Sequence, residues 1–387
     1  MKKIDLKNLS PADFEGFVLK LGWKPYRAGQ IMSWLYQKAV TEIDSMTNLS
    51  FSLREELKKV ASLSSLRPSQ VLVSEDDTKK YLFPLEDGGV IESVLIPEKG
   101  HFTPLERIRA ESRGKIKNSY TFSHGVNPIR KFSNGINVPC ESLLTGFTLC
   151  ISTQLGCALK CRFCYTGKRG LVRNLTTAEI VGQVGAVLTH SGGTGTIKNI
   201  VLMGMGEPLS NYENTVKALE IIFHPQGFDF SHRRVTLSSA GLIPEIKRLG
   251  KESPVNLAIS LNAADQETRS FLMPINRRHP LKELLTVLRD YPLPHRKRIT
   301  FEYILIDGVN DALRDAEKLV DLLRPLRCKI NLIPFNEHPG VAFKRPEQEK
   351  IAAFRDFLVS HGYTTIVRES RGNDILAACG QLGGTHG

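Results

Sequence analysis

Apolar residues recur every three to four positions in three stretches near the start of the chain, over 11–21, 27–40 and 50–62. That spacing lines one face of a helix and predicts three short helices, with Gly22-Trp23-Lys24-Pro25 separating the first from the second. Further on, between Ser69 and Pro97, the period falls to two. Val71-Leu72-Val73, Lys80-Tyr81-Leu82-Phe83 and Val90-Ile91-Glu92-Ser93-Val94-Leu95-Ile96 read as strands, the last two joined by a turn at Glu86-Asp87-Gly88-Gly89.

Residues 101–145 lose all periodicity: Ser, Asn, Gly and Pro alternate with Arg107, Arg109, Arg113, Lys115, Lys117, Arg130 and Lys131. A featureless stretch of that length is uncommon inside a compact domain. It is expected to be a disordered, solvated insertion, with an RNA-binding arm as the alternative. Beyond it, apolar runs at 148–153, 199–203, 234–238, 255–261, 299–306 and 329–334 predict strands. Helical patterns lie between and after them at 176–188, 211–223, 280–290, 311–323 and 346–360, the first opening on the capping box Thr176-Thr177-Ala178-Glu179. Such alternation predicts an α/β fold, a parallel sheet covered by helices. The expected organisation is helical over 1–65, a small β element over 66–100, the insertion over 101–145 and the α/β unit over 146–387.

An open doubly wound sheet and a β/α barrel both satisfy this alternation. The barrel is favoured by where the unusual residues fall, since barrels build their sites at the C-terminal ends of strands. Gly204-Met205-Gly206-Glu207-Pro208 follows the second strand, Ser238-Ser239-Ala240-Gly241 the third, Ser260-Leu261-Asn262 the fourth and Phe335-Asn336 the sixth. Glycines allow close backbone approach to a ligand, and Glu207 or a nearby carbonyl offers an acceptor for an ammonium group. Each motif alone reads as an ordinary turn. Their shared position is what carries weight.

The loop after the first strand holds Cys157, Cys161 and Cys164 in a CxxxCxxC run. Iron–sulfur cubanes normally take four cysteine thiolates, so three leave one iron open to a small molecule. A zinc site is the alternative, though it usually wants four Cys or His ligands with paired spacing. A disulfide framework is excluded by the length of the chain and the lack of a secretory signal. Cys150 lies on the first strand and by type reads as a buried core residue, whereas Cys379, followed by Gly380, reads as an exposed, mobile thiol. Cys328 in a strand and Cys140 in the insertion suggest nothing beyond packing.

A net charge of +12 favours a polyanionic partner, with a merely well-solvated basic surface as the plain alternative. No apolar run is long enough to span a bilayer, and Met1-Lys2-Lys3-Ile4-Asp5-Leu6-Lys7 leads into no signal peptide. A cytoplasmic location is expected, where the cysteines stay reduced.

Taken together, the Cys150…Cys157-x3-Cys161-x2-Cys164 run, the Gly-Met-Gly-Glu-Pro turn, Met273-Pro274-Ile275-Asn276 and the ending Ala377-Ala378-Cys379-Gly380-Gln381-Leu382 resemble the RlmN/Cfr family of radical S-adenosylmethionine (SAM) RNA adenine methyltransferases. The resemblance covers nearly the whole chain. It implies a partial (β/α)6 TIM-like barrel, an N-terminal helical domain that binds RNA, and methylation of an adenine C2 in 23S rRNA and in tRNA beside the anticodon. It further implies a [4Fe–4S] cluster on Cys157, Cys161 and Cys164, and SAM, two per turnover, lined by Gly206, Glu207, Ser238, Ser260, Leu261, Asn262 and Asn336. Cys379 would carry the methyl group, Cys150 would resolve it through a disulfide, and Glu92 would take the C2 proton. A reducing electron donor, no membrane and a monomeric enzyme complete the implication.

Two departures stand out. The family usually has a histidine where this chain has Asn262, and the insertion separates Glu92 from Cys150. C8 methylation of the same ribosomal adenine is the alternative within the family. A non-catalytic iron–sulfur RNA-binding protein is the alternative outside it, and it would need neither Cys150 nor Cys379.

Overall fold

The computed structural model describes residues 3–99, 129–131, 137–139, 144–191 and 196–383. The disorder expected over 101–145, and Cys140 with it, therefore lies largely outside the described residues. In chain order, the first strand β1 (Ile4–Asp5) leads into helices α1 (Pro11–Lys20), α2 (Tyr26–Met32) and α3 (Phe51–Val60), and β2 (Ala61–Ser62) pairs back with β1. α1 starts on a full capping box, Ser10 with Asp13, and Pro11 supplies its first turn. The helix expected over 27–40 stops short: after Met32 the chain widens into a π-type turn, Ser33–Gln37, closed by Lys38 N–H on Ser33 O.

Strands β3 (Gln70–Val73), β4 (Lys79–Pro84) and β5 (Val90–Lys99) form an antiparallel meander. A short antiparallel pair follows, β6 (Ile129–Lys131) with β7 (Asn137–Pro139). Next come β8 (Leu144–Cys150), β9 (Gln154–Gly156), helix α4 (Tyr165–Arg169), β10 (Leu171–Asn174) and α5 (Thr177–His190). β8 starts four residues before the expected strand, and Ile151 has already left the sheet. The remaining elements are β11 (Ile197–Leu202), α6 (Tyr212–Phe223), β12 (Val235–Ser239), α7 (Ile243–Glu252), β13 (Asn256–Ser260), α8 (Gln266–Leu272) and α9 (Leu281–Arg289). After them lie β14 (Ile299–Leu305), α10 (Leu313–Leu323), β15 (Cys328–Pro334), α11 (Gln348–Ser360) and β16 (Thr365–Val367).

One mixed sheet carries the molecule, in the order β16-β15-β14-β13-β12-β11-β8-β5-β4-β3. From β8 to β16 all neighbours are parallel, and β5 joins β8 antiparallel with Val94 opposite Cys150. The parallel strands are apolar because helices cover their outer face, as the buried pattern of Ile299–Leu305 illustrates. The sheet opens between β16 and β3. That gap is bridged by the C-terminal segment: Asp374 accepts from Ser74 Oγ at 2.5 Å and from Glu75 N, and Asp76 accepts from Gly372 N at 3.1 Å. The N-terminal helices dock on the outer helices through Lys217–Asp13 at 2.8 Å and through Asn8 Oδ1, which accepts the Ala178 N–H. Apolar packing is continuous from Leu6 to Leu382.

Candidate active site

A cavity of about 230 Å³ opens at the C-terminal ends of the parallel strands. Its first wall is the loop between β9 and β10. Gly156 has φ +81°, and a Cβ there would lie 1.9 Å from Gly170 O, so only glycine permits the crossing that lets Cys157 N donate to that same carbonyl. Cys164 N–H donates to Cys161 O, and Arg162 N–H to Leu272 O at the end of α8, which ties the loop to the fourth-strand side. The thiols of Cys157, Cys161 and Cys164 all face the cavity. Burial pushes Cys157 up to about 12, and burial followed by the neighbouring Cys164 and Cys157 raises Cys161 well above the ordinary thiol range. Cys164 is raised by burial against the pull of the Gly167 and Thr166 N–H groups. Three thiols that cannot ionise unaided suit a soft metal centre that stabilises thiolates. Among the described residues no three His, Cys, Asp or Glu side chains converge closely enough to hold a single metal ion.

The strand-end motifs form the adjoining wall. Gly206 has φ +101°, and a Cβ on it would meet Gln154 Cβ at 2.5 Å. Glu207 is buried and accepts from Leu209 N at 3.1 Å and Ala240 N at 2.8 Å, joining the second-strand loop to the third. Burial raises its carboxyl to about 7. The hydroxyls of Ser238 and Ser260 lie 3.4 Å apart on neighbouring strands. Asn262 sits at φ +58°, with its side chain taken up by Ile304 N and Met273 Sδ. Asn and His both tolerate that left-handed conformation better than most residues, which accounts physically for Asn standing at this position. Asn336 donates to Cys379 O at 3.0 Å and accepts from Ser370 Oγ. Of the expected SAM-lining residues, Gly206, Glu207, Ser238, Ser260, Asn262 and Asn336 border the cavity. Leu261 does not: its side chain is wholly buried in the core and only its backbone faces its neighbours, through Glu302 O and Arg269 Nε.

Opposite the three-cysteine loop stand β5, β8 and the C-terminal strap. Cys150 belongs to the core, as its type suggests, yet it also borders the cavity. Burial first and the nearby Cys379 thiol second push it up to about 12. Cys379 is exposed to solvent through the cavity mouth, and both thiols are free. The strap is pinned just beyond Cys379: Tyr165 N donates to Gly380 O, Thr166 Oγ1 to Leu382 O at 2.7 Å, and Gly383 N to Glu92 Oε2 at 3.2 Å. Glu92 is buried beneath this strap and does not border the cavity. It lies two residues before Val94, which does, on the same face of β5. The insertion thus leaves Glu92 and Cys150 on adjacent, paired strands.

Sequence reasoning passed over three charged groups here. Lys80 is fully buried, 3.7 Å from Glu92 Oε2, and donates to Leu376 O. Arg269, also fully buried, binds the carbonyls of Leu261 and Ala240 and the Asn276 side chain, which gives the Met273–Asn276 motif its place. Glu302 borders the cavity with one oxygen held by Asn331, and its carboxyl is raised by burial against the pull of Arg368. A charge at an inward position of an apolar strand was the available signal for Lys80 and Glu302.

Known proteins match this architecture. Residues 151–323 match the radical SAM superfamily, and residues 4–63 the ribosomal RNA large subunit methyltransferase N-terminal domain. A crystal structure of a radical SAM methyltransferase from Sphaerobacter thermophilus superposes with a TM-score of 0.80 at 40% identity, covering 98% of this chain and 99% of that one. The molecule is therefore a radical SAM enzyme, a class that works with a [4Fe–4S] cluster and SAM. A dual-specificity RNA methyltransferase RlmN from Syntrophotalea carbinolica is 47% identical over 99% of this chain and 90% of its own. Another, from Geobacter sulfurreducens, is 47% identical over 98% and 92%. The chain belongs to the RlmN family of dual-specificity RNA methyltransferases.

Proposed function

We propose that this enzyme methylates C2 of an adenine in 23S rRNA and in tRNA next to the anticodon, through a methylated Cys379. The observation that carries it is the meeting of Cys150 and Cys379 on one cavity with the three-cysteine loop. A relay thiol and a resolving thiol have no use in a protein that only binds RNA. In this assignment Cys157, Cys161 and Cys164 hold the cluster, and Gly206, Glu207, Ser238, Ser260, Asn262, Asn336 and the Leu261 backbone hold SAM. When bound, the cluster and SAM supply the methyl group, the 5′-deoxyadenosyl radical and a one-electron couple.

The chain's own residues do the rest. Cys379, on its strap, accepts the methyl group and presents its carbon to C2 of a base drawn out of its stack. Glu92 takes the proton that C2 gives up. Cys150 then attacks the Cys379 sulfur: the S–S bond forms, the carbon–sulfur bond breaks, and its electron pair stays on the methylene carbon, which takes a proton to become methyl. An external reductant reopens the disulfide.

The N-terminal helices give support as an RNA-contacting unit over 1–65, since Tyr26 is exposed and Lys38 stacks over the Trp34 ring at 3.5 Å. Among the described residues no helix is long and apolar enough to cross a membrane. A monomer working in the cytoplasm with a reducing electron donor fits these substrates. The test is nucleoside analysis of rRNA and tRNA fragments treated with the reduced, reconstituted enzyme and SAM. The expected product is 2-methyladenosine in both; 8-methyladenosine, or no methylation alongside intact cluster absorbance, would overturn the assignment.

A further inference from the structure

Lys80 brings an ammonium group to full burial beside the cavity wall, and none of the steps above uses it. Pairing of β4 with β5 sets Lys80 opposite Val94 and Leu82 opposite Glu92, so Lys80 and Glu92 are diagonal neighbours on one face of the sheet. Its Nζ is 3.7 Å from Glu92 Oε2 and donates to Leu376 O at 3.1 Å. Burial pulls this ammonium's pKa down and Glu92 pulls it up. Such a pair gains little stability over apolar residues of the same size, because desolvation of two charges offsets most of the attraction. Its contacts point to another use. One is made with the residue assigned as base, the other with the backbone three residues before the methyl carrier. Gly383 N–H, on the far side of Cys379, meets the same Glu92 oxygen.

We propose that Lys80 is a positioning residue that sets the direction of the Glu92 carboxylate relative to the strap holding Cys379. This rests on Glu92 acting as base in the reaction proposed above. In that step the RNA–Cys379 adduct, whose unpaired electron the bound cluster would accept as its one-electron couple, loses its C2 proton. The C2–H bond breaks, an O–H bond forms on Glu92, and the bonding pair returns to the purine ring. A neutral residue at position 80 removes the attraction that aims the carboxylate and leaves methyl transfer to Cys379 in place.

The test compares reconstituted Lys80→Met, Lys80→Gln, Lys80→Arg and Glu92→Gln enzymes on a short RNA substrate. Four quantities are followed: Cys379 methylation by peptide mass, 5′-deoxyadenosine, methylated RNA and covalent adduct. In the Met and Gln variants Cys379 becomes methylated and 5′-deoxyadenosine forms. Methylated RNA per 5′-deoxyadenosine falls about 100-fold, the scale of a displaced general base, and adduct persists although Cys150 is intact. Lys80→Arg restores most of the coupling. Gln keeps an N–H for Leu376 O, so it carries the test if the Met variant does not fold. Unmethylated Cys379 in a folded, cluster-loaded Gln variant would make Lys80 a mere anchor of the strap and overturn the proposal. Wild-type coupling in the neutral variants, with Glu92→Gln uncoupled, would overturn Lys80 alone. Wild-type coupling in Glu92→Gln would remove the base itself, and the proposal with it.

Discussion

The two walls of the cavity are made of different materials. Along β11 to β15 the surface is built from strand-end loops, among them Gly204 and Gly206, the Ser238 and Ser260 hydroxyls and the Glu207 carboxylate that ties two loops together. Across from it, β8 and the strap contribute two free thiols, and the Lys80–Glu92 ion pair of β4 and β5 is buried behind them, each feature set by an individual side chain. The first wall suits a ligand that is bound whole. The second suits steps in which bonds to the protein form and break. Geometry spread over many backbone groups tolerates the loss of one side chain, while single-residue chemistry does not.

Substitutions sort the walls by what they abolish. Cys157→Ala, Cys161→Ala or Cys164→Ala should eliminate both the broad visible absorbance of the cluster and all SAM cleavage. Cys379→Ala should keep the absorbance and lose every trace of methylated RNA. Absorbance retained in the first set would dissolve the contrast. Cys150→Ala comes next: SAM is still consumed, but protein joined to RNA accumulates as a nuclease-sensitive band of reduced gel mobility. Normal turnover in a less stable Cys150→Ala protein would reduce that thiol to a packing residue.

A third substitution probes the backbone wall. Gly206→Ala forces a side chain into positive φ against Gln154, a strain of about 1–3 kcal/mol. SAM affinity by equilibrium dialysis should fall about tenfold or more, with the cluster retained. Unchanged affinity would mean that this turn does not hold the ligand. A pH-dependent effect concerns Glu207. With its carboxyl raised to about 7 from an ordinary 4.5, the folded protein favours the protonated form. Stability present below pH 4.5 is therefore lost as pH rises through 7, by about 1 kcal/mol for each pH unit. Urea melts of cluster-free wild-type protein at pH 5, 6 and 7 should show this loss, and Glu207→Gln should flatten it.

Of the two walls, the backbone wall is the more legible in the amino-acid sequence. Its motifs are local: a CxxxCxxC loop or a Gly-Met-Gly-Glu-Pro turn carries its geometry within a few residues. The parallel strands are also plain, since burial on both faces makes them continuous apolar runs. What escapes depends on distant partners. Lys80 reads as one more lysine until β4 is paired with β5 and Leu376 is laid across it. Arg269 reads as the polar face of a short helix until its guanidinium meets the carbonyls of Leu261 and Ala240 and the Asn276 side chain. The strand expected at 148–153 is displaced because Thr145 and Gly146 disguise its start.

The bridge between the open edges of the sheet has a consequence for how the enzyme comes into being. Ser74 and Asp374, which meet across that gap, are 300 positions apart in the chain. During synthesis the N-terminal helices, the meander and the parallel strands all emerge before the segment that joins them. Contacts at such separation form late and slowly. A nascent chain therefore cannot expose the proposed Cys150–Cys379 relay to the ribosome that is making it, although that ribosome contains the kind of RNA its relatives modify. The proposed methyl carrier arrives with the Cys379 segment, and a nonsense codon between Asn336 and Cys379 would leave a protein that has the three-cysteine loop and the strand-end motifs but no Cys379.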